Sequence, residues 1–335
     1  MDWTRGHTIG HGASAAVSIA VSHISGDIFA VKSAELSKSE SLQREHNILS
    51  TLNCPHIVGY RGCDISLENN EAMFNLMIEY AADGTLSDAV RRGGGGLPEP
   101  AIRHYTQGIV KGLEYLHSKG IVHCDIKGSN ILISRGEAKI ADFGCAKAVG
   151  ESVISGTPLF MAPEVARGEE QGFLADIWAL GCTVIEMATG HAPWPNVAAT
   201  LHRIAFSGET PELPAFLSEL ANDFLSKCLR VDSRERWTAK ELLRHPFLDE
   251  FRHEKMIIDS TDSPTSILDQ EIWSSIEEEY SHDPVEFNLA DYSKLEESCM
   301  NSIMEEWDCT ESWITVRDGK NVDFSNDRKT EFFSW

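Results

Sequence analysis

Residues 10–17 read Gly10-His11-Gly12-Ala13-Ser14-Ala15-Ala16-Val17, with Ile9 just before them. The order follows G-x-G-x-x-G-x-V, with Ala15 at the third glycine position. Only backbone without side chains can lie close over phosphate oxygens. The run stands between two strand-forming stretches, whereas a dinucleotide fingerprint would open a helix. Further on, the apolar run Phe29-Ala30-Val31 leads to Lys32. A buried ammonium needs a partner, and Glu45, 13 residues later, is the candidate. Their ion pair would aim Lys32 at the α- and β-phosphates of a nucleotide. Each feature also has an ordinary explanation: hairpins often carry two glycines, and a strand-end lysine can point into water.

The specific signal is His123-Cys124-Asp125-Ile126-Lys127-Gly128-Ser129-Asn130. Asp142-Phe143-Gly144 begins 17 residues after Asp125, and Pro163 of Ala162-Pro163-Glu164 lies 20 residues beyond Phe143. HxDxKxxN, DFG and APE, in this order and at these spacings, resemble the protein-kinase signature over about residues 3–250. Asp176-Ile177-Trp178-Ala179-Leu180-Gly181 and Arg236, placed to pair with Glu164, extend the match. The resemblance implies an α+β bilobal protein kinase fold, with a β-rich N-lobe and a mainly helical C-lobe, and ATP and Mg2+ as cofactors.

Transfer of a highly charged phosphoryl group through a loose transition state is catalysed mainly by positioning and charge neutralisation. Carried over residue by residue, the resemblance has Asp125 accept or orient the proton of a substrate hydroxyl. Lys127 neutralises the γ-phosphate, in a D-x-K-x-x-N form that resembles serine/threonine rather than tyrosine kinases. Asp142 chelates one Mg2+ and Asn130 a second, since carboxylate and amide oxygens suit a hard cation. The backbone of Glu79 and Ala81 is expected to hold adenine, with Ile78 at the back of the pocket and both side chains weakly constrained. A pseudokinase scaffold would be expected to lack one of Lys32, Asp125, Asn130 and Asp142; all four are present.

A small sheet and a helical body must position these groups. Residues 16–21 (AVSIAV) and 28–31 (IFAV) favour strands across a turn-rich 23–27, and 57–63 and 73–80 are further strand candidates. Residues 39–52 change to a helical period, Leu42, Ile48, Leu49 and Leu52 sharing a face behind serines able to cap it. Residues 99–118 open with Glu99-Pro100 and repeat Ile102, Tyr105, Ile109, Leu113 and Leu116 at helical spacing.

Composition narrows the class and the partners. No stretch approaches the roughly 18–20 apolar residues of a membrane span, and the opening MDWTRGHTIGHG is too polar for a signal-peptide core. Eight scattered cysteines without a CxxC pair suit a reducing compartment, cytoplasm or nucleus or both. Net charge is −23, from 29 basic and 52 acidic residues. Residues 251–335 hold 21 acidic and 7 basic residues (−14), leaving 31 and 22 (−9) in residues 1–250. Such a chain repels phosphate backbones, so neither nucleic acid nor membrane is an expected partner. A catalytic domain is expected over 3–248. Residues 249–335 read as an acidic, Ser-rich tail carrying Trp273, Trp307, Trp313 and Trp335, partly disordered, and either regulatory and partner-binding or a solvated extension.

HCDIKGSNILI, KIADFGCAK, GTPLFMAPEV and EYAADGTLSDAV are together similar to plant MAP kinase kinase kinases, the short MEKK-like members with an N-terminal catalytic domain. That resemblance implies a serine/threonine kinase that phosphorylates MAP kinase kinases in abscisic acid and other stress signalling. One position departs from many kinases, which carry an arginine before the catalytic aspartate to grip a phosphorylated activation loop. Here it is Cys124. Phosphorylation between Asp142 and Glu164, at the candidate sites Ser152 and Ser155, is therefore expected not to be required for basal activity. Lys147 is expected to supply part of the missing cationic pocket, and Thr157 to bond Asp125 and Lys127. Cys145 is read as a packing residue rather than an oxidisable thiol.

Overall fold

The structure, a computed structural model, describes residues 2–12, 15–194 and 197–249. Ala13 and Ser14 of the glycine-rich run, and the expectations attached to the tail beyond Asp249, lie outside the described residues.

Strands β1 (Trp3–His11), β2 (Ala16–Ser22), β3 (Ile28–Glu35), β4 (Tyr60–Glu68) and β5 (Glu71–Glu79) form one antiparallel sheet in the order β1-β2-β3-β5-β4. Helix α1 (Glu40–Leu49) connects β3 to β4 and buries Leu42 and Leu49 in the core that also holds Phe74 and Leu76 of β5. Elsewhere on the sheet is a polar network. Asn75, fully buried, accepts from Arg5 (2.9 Å) and Ser33 (2.7 Å) and donates to Asp64 and Ser66 (2.9 Å each). Arg5 also reaches Glu68 at 2.7 Å. Buried polar groups persist in folded proteins when every one finds a partner, and these do.

Three expectations shift here. β3 runs on past Val31 to Glu35, so Lys32 is interior to its strand, opposite Leu76, and not at its end. β4 covers 60–68 instead of 57–63, because Asp64, Ser66 and Glu68 face the Arg5 and Asn75 network, while Ile57 and Val58 lie in a loop packed on Ile140. The α1 cap also differs: Ser39 caps no backbone N–H through its side chain, its Oγ donating to Leu36 O (2.9 Å) and accepting from Gln43 (2.8 Å).

The second lobe is mainly helical. Helices α2 (Leu86–Arg92) and α3 (Glu99–Ser118) lead to the short strands β6 (Ile121–Val122), β7 (Ile131–Ser134), β8 (Glu137–Ile140) and β9 (Lys147–Ala148). Then follow α4 (Pro163–Ala166), α5 (Phe173–Thr189), α6 (Val197–Phe206), α7 (Glu219–Cys228) and α8 (Ala239–Leu242). Ile102, Ile109, Leu113 and Leu116 of α3 are fully buried, as the helical spacing requires. Helix α5 is apolar on nearly every side and buried, with Asp176 and Glu186 its two charged residues. Among the described residues no helix is long and apolar enough to cross a membrane.

Candidate active site

Gly10 and Gly12 lie at the β1–β2 turn, where Gly10 pairs with Val17 and the Gly12 N–H donates to Ala15 O at 2.8 Å. Neither has positive φ, and a Cβ on Gly10 would meet nothing within 4 Å. The backbone itself does not demand glycine there, which leaves close approach of another group as the physical reason for it. Ala16 and Val17 continue into β2, with Val17 half-buried against the core.

Lys32 projects from β3 onto two carboxylates. Its Nζ lies 2.7 and 2.9 Å from the oxygens of Glu45 on α1 and 2.9 Å from Asp142 Oδ1. Burial drives the ammonium down, but Glu45 and Asp142 outweigh it and hold its pKa well above the usual lysine range. Burial likewise works against the Asp142 carboxylate, and Lys32 reverses the balance and holds it below its ordinary value. Glu45 accepts the Phe143 N–H as well (3.3 Å), so α1 is tied to the Asp142-Phe143-Gly144 segment. Phe143 is fully buried, edge-on to the His123 ring at 5.0 Å, and Asp142 takes the left-handed φ of 63°.

The second half of the site is built on the loop between β6 and β7. Asp125 Oδ1 accepts from the Thr157 N–H (2.9 Å) and hydroxyl (2.7 Å), and Oδ2 from Asn130 Nδ2 (2.7 Å). Lys127 donates to Thr157 Oγ1 at 2.7 Å and stands 3.5 Å from Asp125 Oδ2. Accepting from the ammonium, the Thr157 hydroxyl must send its own proton to Asp125. Asn130 spends its amide nitrogen on Asp125, so its Oδ1 is the atom a cation would take.

Residues distant in sequence hold this loop and the segment that follows it. Asp176 accepts the N–H groups of His123 and Cys124 (2.9 Å each) and pairs with His117 at 2.9 Å. Glu186 accepts the Gly128 N–H and the Ser87 hydroxyl, both at 2.9 Å. The sequence carried a signal for both: they are the two carboxylates in an otherwise apolar helix, and buried charge demands partners. Arg236 grips Glu164 through two parallel bonds (2.6 and 2.7 Å), both residues buried.

The Glu79 side chain is not weakly constrained. It accepts from Lys139 (2.6 Å), Ser134 (2.9 Å) and the Gly59 N–H (3.1 Å), and although burial raises its carboxyl, these partners hold the pKa below the usual value. Its position beside the inter-lobe crossing brings cationic and hydroxyl partners from β7 and β8 that adjacent sequence does not reveal. The Ala81 carbonyl closes a turn onto Gly84 N–H at 3.2 Å.

The activation segment shows a second difference. Lys147, buried, donates to the carbonyls of Glu151 (2.8 Å) and Val153, so its charge already serves the main chain of the segment. Ser152 is exposed, whereas the Ser155 hydroxyl points inward to Cys145 O at 3.1 Å. Burial, with Asp125 and Asp142 nearby, pushes the Cys145 thiol up to about 11, which disfavours the thiolate.

A sheet lobe whose lysine meets a helix glutamate and an aspartate, set beside a loop that joins Asp125, Lys127 and Asn130, is the arrangement of a protein kinase. Residues 3–248 match the family described as Protein kinase domain. The chain is 54% identical to mitogen-activated protein kinase kinase kinase 17 of Arabidopsis thaliana over 293 residues, 83% of this chain and 79% of that one. It is 54% identical to mitogen-activated protein kinase kinase kinase 18 of the same plant over 298 residues, 84% and 88% of the two chains. With mitogen-activated protein kinase kinase kinase 20 it shares 39% over 349 residues, 95% of this chain and 100% of the other. The chain belongs to the protein kinase family and, within it, to the plant MAP kinase kinase kinases, which makes it a serine/threonine protein kinase of MAP kinase cascades.

Proposed function

We propose that the protein transfers the γ-phosphate of ATP, in the presence of Mg2+, to serine or threonine hydroxyls of MAP kinase kinases in stress signalling, abscisic acid signalling included. The observation that carries the reading is the convergence of Asp125, Lys127 and Thr157, Thr157 hydrogen-bonded to both and Lys127 3.5 Å from Asp125 Oδ2, the oxygen that also accepts from Asn130. Bound ATP with Mg2+ supplies the transferable phosphoryl group and the charge that offsets its oxygens.

The chain's own residues do the rest. Asp142 and Asn130 offer a carboxylate and an amide oxygen, donors that fit Mg2+, which takes one or two protein ligands and fills its shell with phosphate and water. Among the described residues no group of three or more His, Cys, Asp and Glu side chains forms a cation site by itself, in keeping with that sharing. Lys32, held by Glu45, would reach the α- and β-phosphates of bound ATP. The Glu79 carbonyl and the Ala81 N–H would hold the donor and acceptor edge of adenine. Asp125 orients the acceptor hydroxyl and takes its proton, while Lys127 neutralises charge at the transferred group.

Three further parts of the reading rest on composition. The described cysteines are free thiols, which suits cytoplasm or nucleus. The acidic balance disfavours nucleic acid and anionic membrane as partners. The tryptophan-bearing acidic segment from 249 onward serves as a regulatory or partner-binding tail, and removing it changes specific activity or partner binding.

A panel of kinase-inactive MAP kinase kinases, each incubated with the 335-residue chain, Mg2+ and labelled ATP, tests the substrate assignment. Preferred labelling of one or more of them on serine or threonine, over a generic basic protein, supports it. Labelling of the basic protein alone places the enzyme in another tier.

A further inference from the structure

We infer that Gln171 is a positioning residue that takes the place of a phosphate tether, holding Ser155 so that Thr157 stays on Asp125 without a modified activation segment. The inference rests on the protein-substrate reading above and names the residue that sustains it.

Gln171 lies in the loop between α4 and α5, only 3% exposed. Its carboxamide meets both main-chain groups of one residue: Oε1 accepts the Ser155 N–H at 3.2 Å, and Nε2 donates to the Ser155 carbonyl at 2.9 Å. That is the two-bond exchange a neighbouring β-strand would make, supplied here by a side chain. A primary amide has two N–H donors, and Nε2 also lies 3.4 Å from the Cys124 carbonyl. One neutral group therefore bridges the activation segment and the residue before Asp125.

The next two residues pass this placement on. Gly156 has φ 116° and is packed so tightly on the catalytic loop that a Cβ would stand 2.2 Å from Cys124 O. Thr157 then makes its two bonds to Asp125. A shift of the Ser155 main chain is thus carried through one glycine to the hydroxyl that touches Asp125 and Lys127. In many kinases an arginine and a phosphate would join these same two segments. Cys124 brings no positive charge to that part: its thiol is buried, pushed up in pKa by burial and by Asp176, and its polar contacts are Val122 O and the Ser155 side chain. Lys147 is spent on Glu151 O and Val153 O, upstream of Ser155. Lys32, Glu45 and Asp142 bond one another and the Phe143 N–H rather than Gln171 or Ser155, whereas Thr157 bonds Asp125 and Lys127, so loss of the clamp falls on transfer to the protein substrate more than on the binding of ATP.

The test compares wild type, Gln171→Met and Gln171→Glu as full chains, with a kinase-inactive MAP kinase kinase and ATP varied in turn. Gln171→Met keeps length and burial but loses all three polar contacts; Gln171→Glu keeps the acceptor for Ser155 N–H and sets a carboxylate against two carbonyls. Both variants are expected to lose about tenfold or more in kcat/KM for the protein, with KM for ATP within about twofold of wild type. Unchanged kcat/KM for the protein overturns the inference, as does a parallel loss for ATP and protein, which would make Gln171 merely structural. Wild type that labels a generic basic protein but no MAP kinase kinase overturns the substrate tier alone, and the variants are then compared on the basic protein. Wild type inactive on both substrates overturns both readings.

Discussion

Thr157 is bound to Asp125 twice, its N–H at 2.9 Å and its hydroxyl at 2.7 Å from the same oxygen, Oδ1. Thr157 and the carboxylate assigned to the acceptor hydroxyl are therefore fixed to each other through both main chain and side chain. Replacing Thr157 by Val keeps shape and the N–H bond but removes the hydroxyl that Asp125 and Lys127 share. kcat/KM for a protein substrate should fall by about 10- to 100-fold, and Thr157→Ser should stay within about fivefold of wild type. Steady-state rates on one protein substrate decide it.

Glu45 supplies two of the three short contacts that fix the Lys32 ammonium, the third being Asp142. Glu45→Gln withdraws the charge and leaves Lys32 to Asp142. KM for ATP should rise about tenfold while KM for the protein substrate changes little. Initial rates at varied ATP check the split.

The Glu79 carboxyl is held below its ordinary pKa, burial being outweighed by Lys139, Ser134 and the Gly59 N–H. A group whose folded pKa is depressed adds stability that is present above the unfolded value, about 4.3, and is lost as pH falls through the folded value. Wild type should therefore melt higher than Glu79→Gln at neutral pH. The gap should narrow as pH drops below about 4.5, and melting curves from neutral to acid pH would show it.

Ser152 is exposed, while the Ser155 hydroxyl bonds Cys145 O at 3.1 Å and its main chain sits on Gln171. Phosphatase-treated Ser152→Ala should retain wild-type activity within about twofold. Ser155→Asp sets a carboxylate against the Cys145 carbonyl and should lose about tenfold or more. Equal activity of all three proteins would mean that the inward hydroxyl does not hold the segment.

The part of the site that reads directly from sequence is local. Asp125, Lys127 and Asn130 share one loop, so their types and spacing carry their proximity, and Lys32 and Glu45 are linked by the need of a buried ammonium for a counter-charge. What sequence does not reveal are contacts made across long separations by residues that look ordinary in place. Lys139 meets Glu79 from 60 residues away, and Ser134 meets it from 55. Gln171, within Gly168-Glu169-Glu170-Gln171-Gly172, looks like a solvated loop residue. In β4, Asp64, Ser66 and Glu68 alternate as a solvent face would, yet they belong to the Arg5 and Asn75 network. Periodicity separates apolar from polar faces; it does not separate a polar face in water from one buried against its own partners.

The most direct test of the account is the initial rate of γ-phosphate transfer to a kinase-inactive MAP kinase kinase, wild type against Asp125→Asn at saturating ATP and Mg2+. The account predicts phosphate on serine or threonine of that substrate and a loss of at least about 100-fold in the variant, the contribution of a positioned general base. An Asp125→Asn enzyme within severalfold of wild type would contradict it.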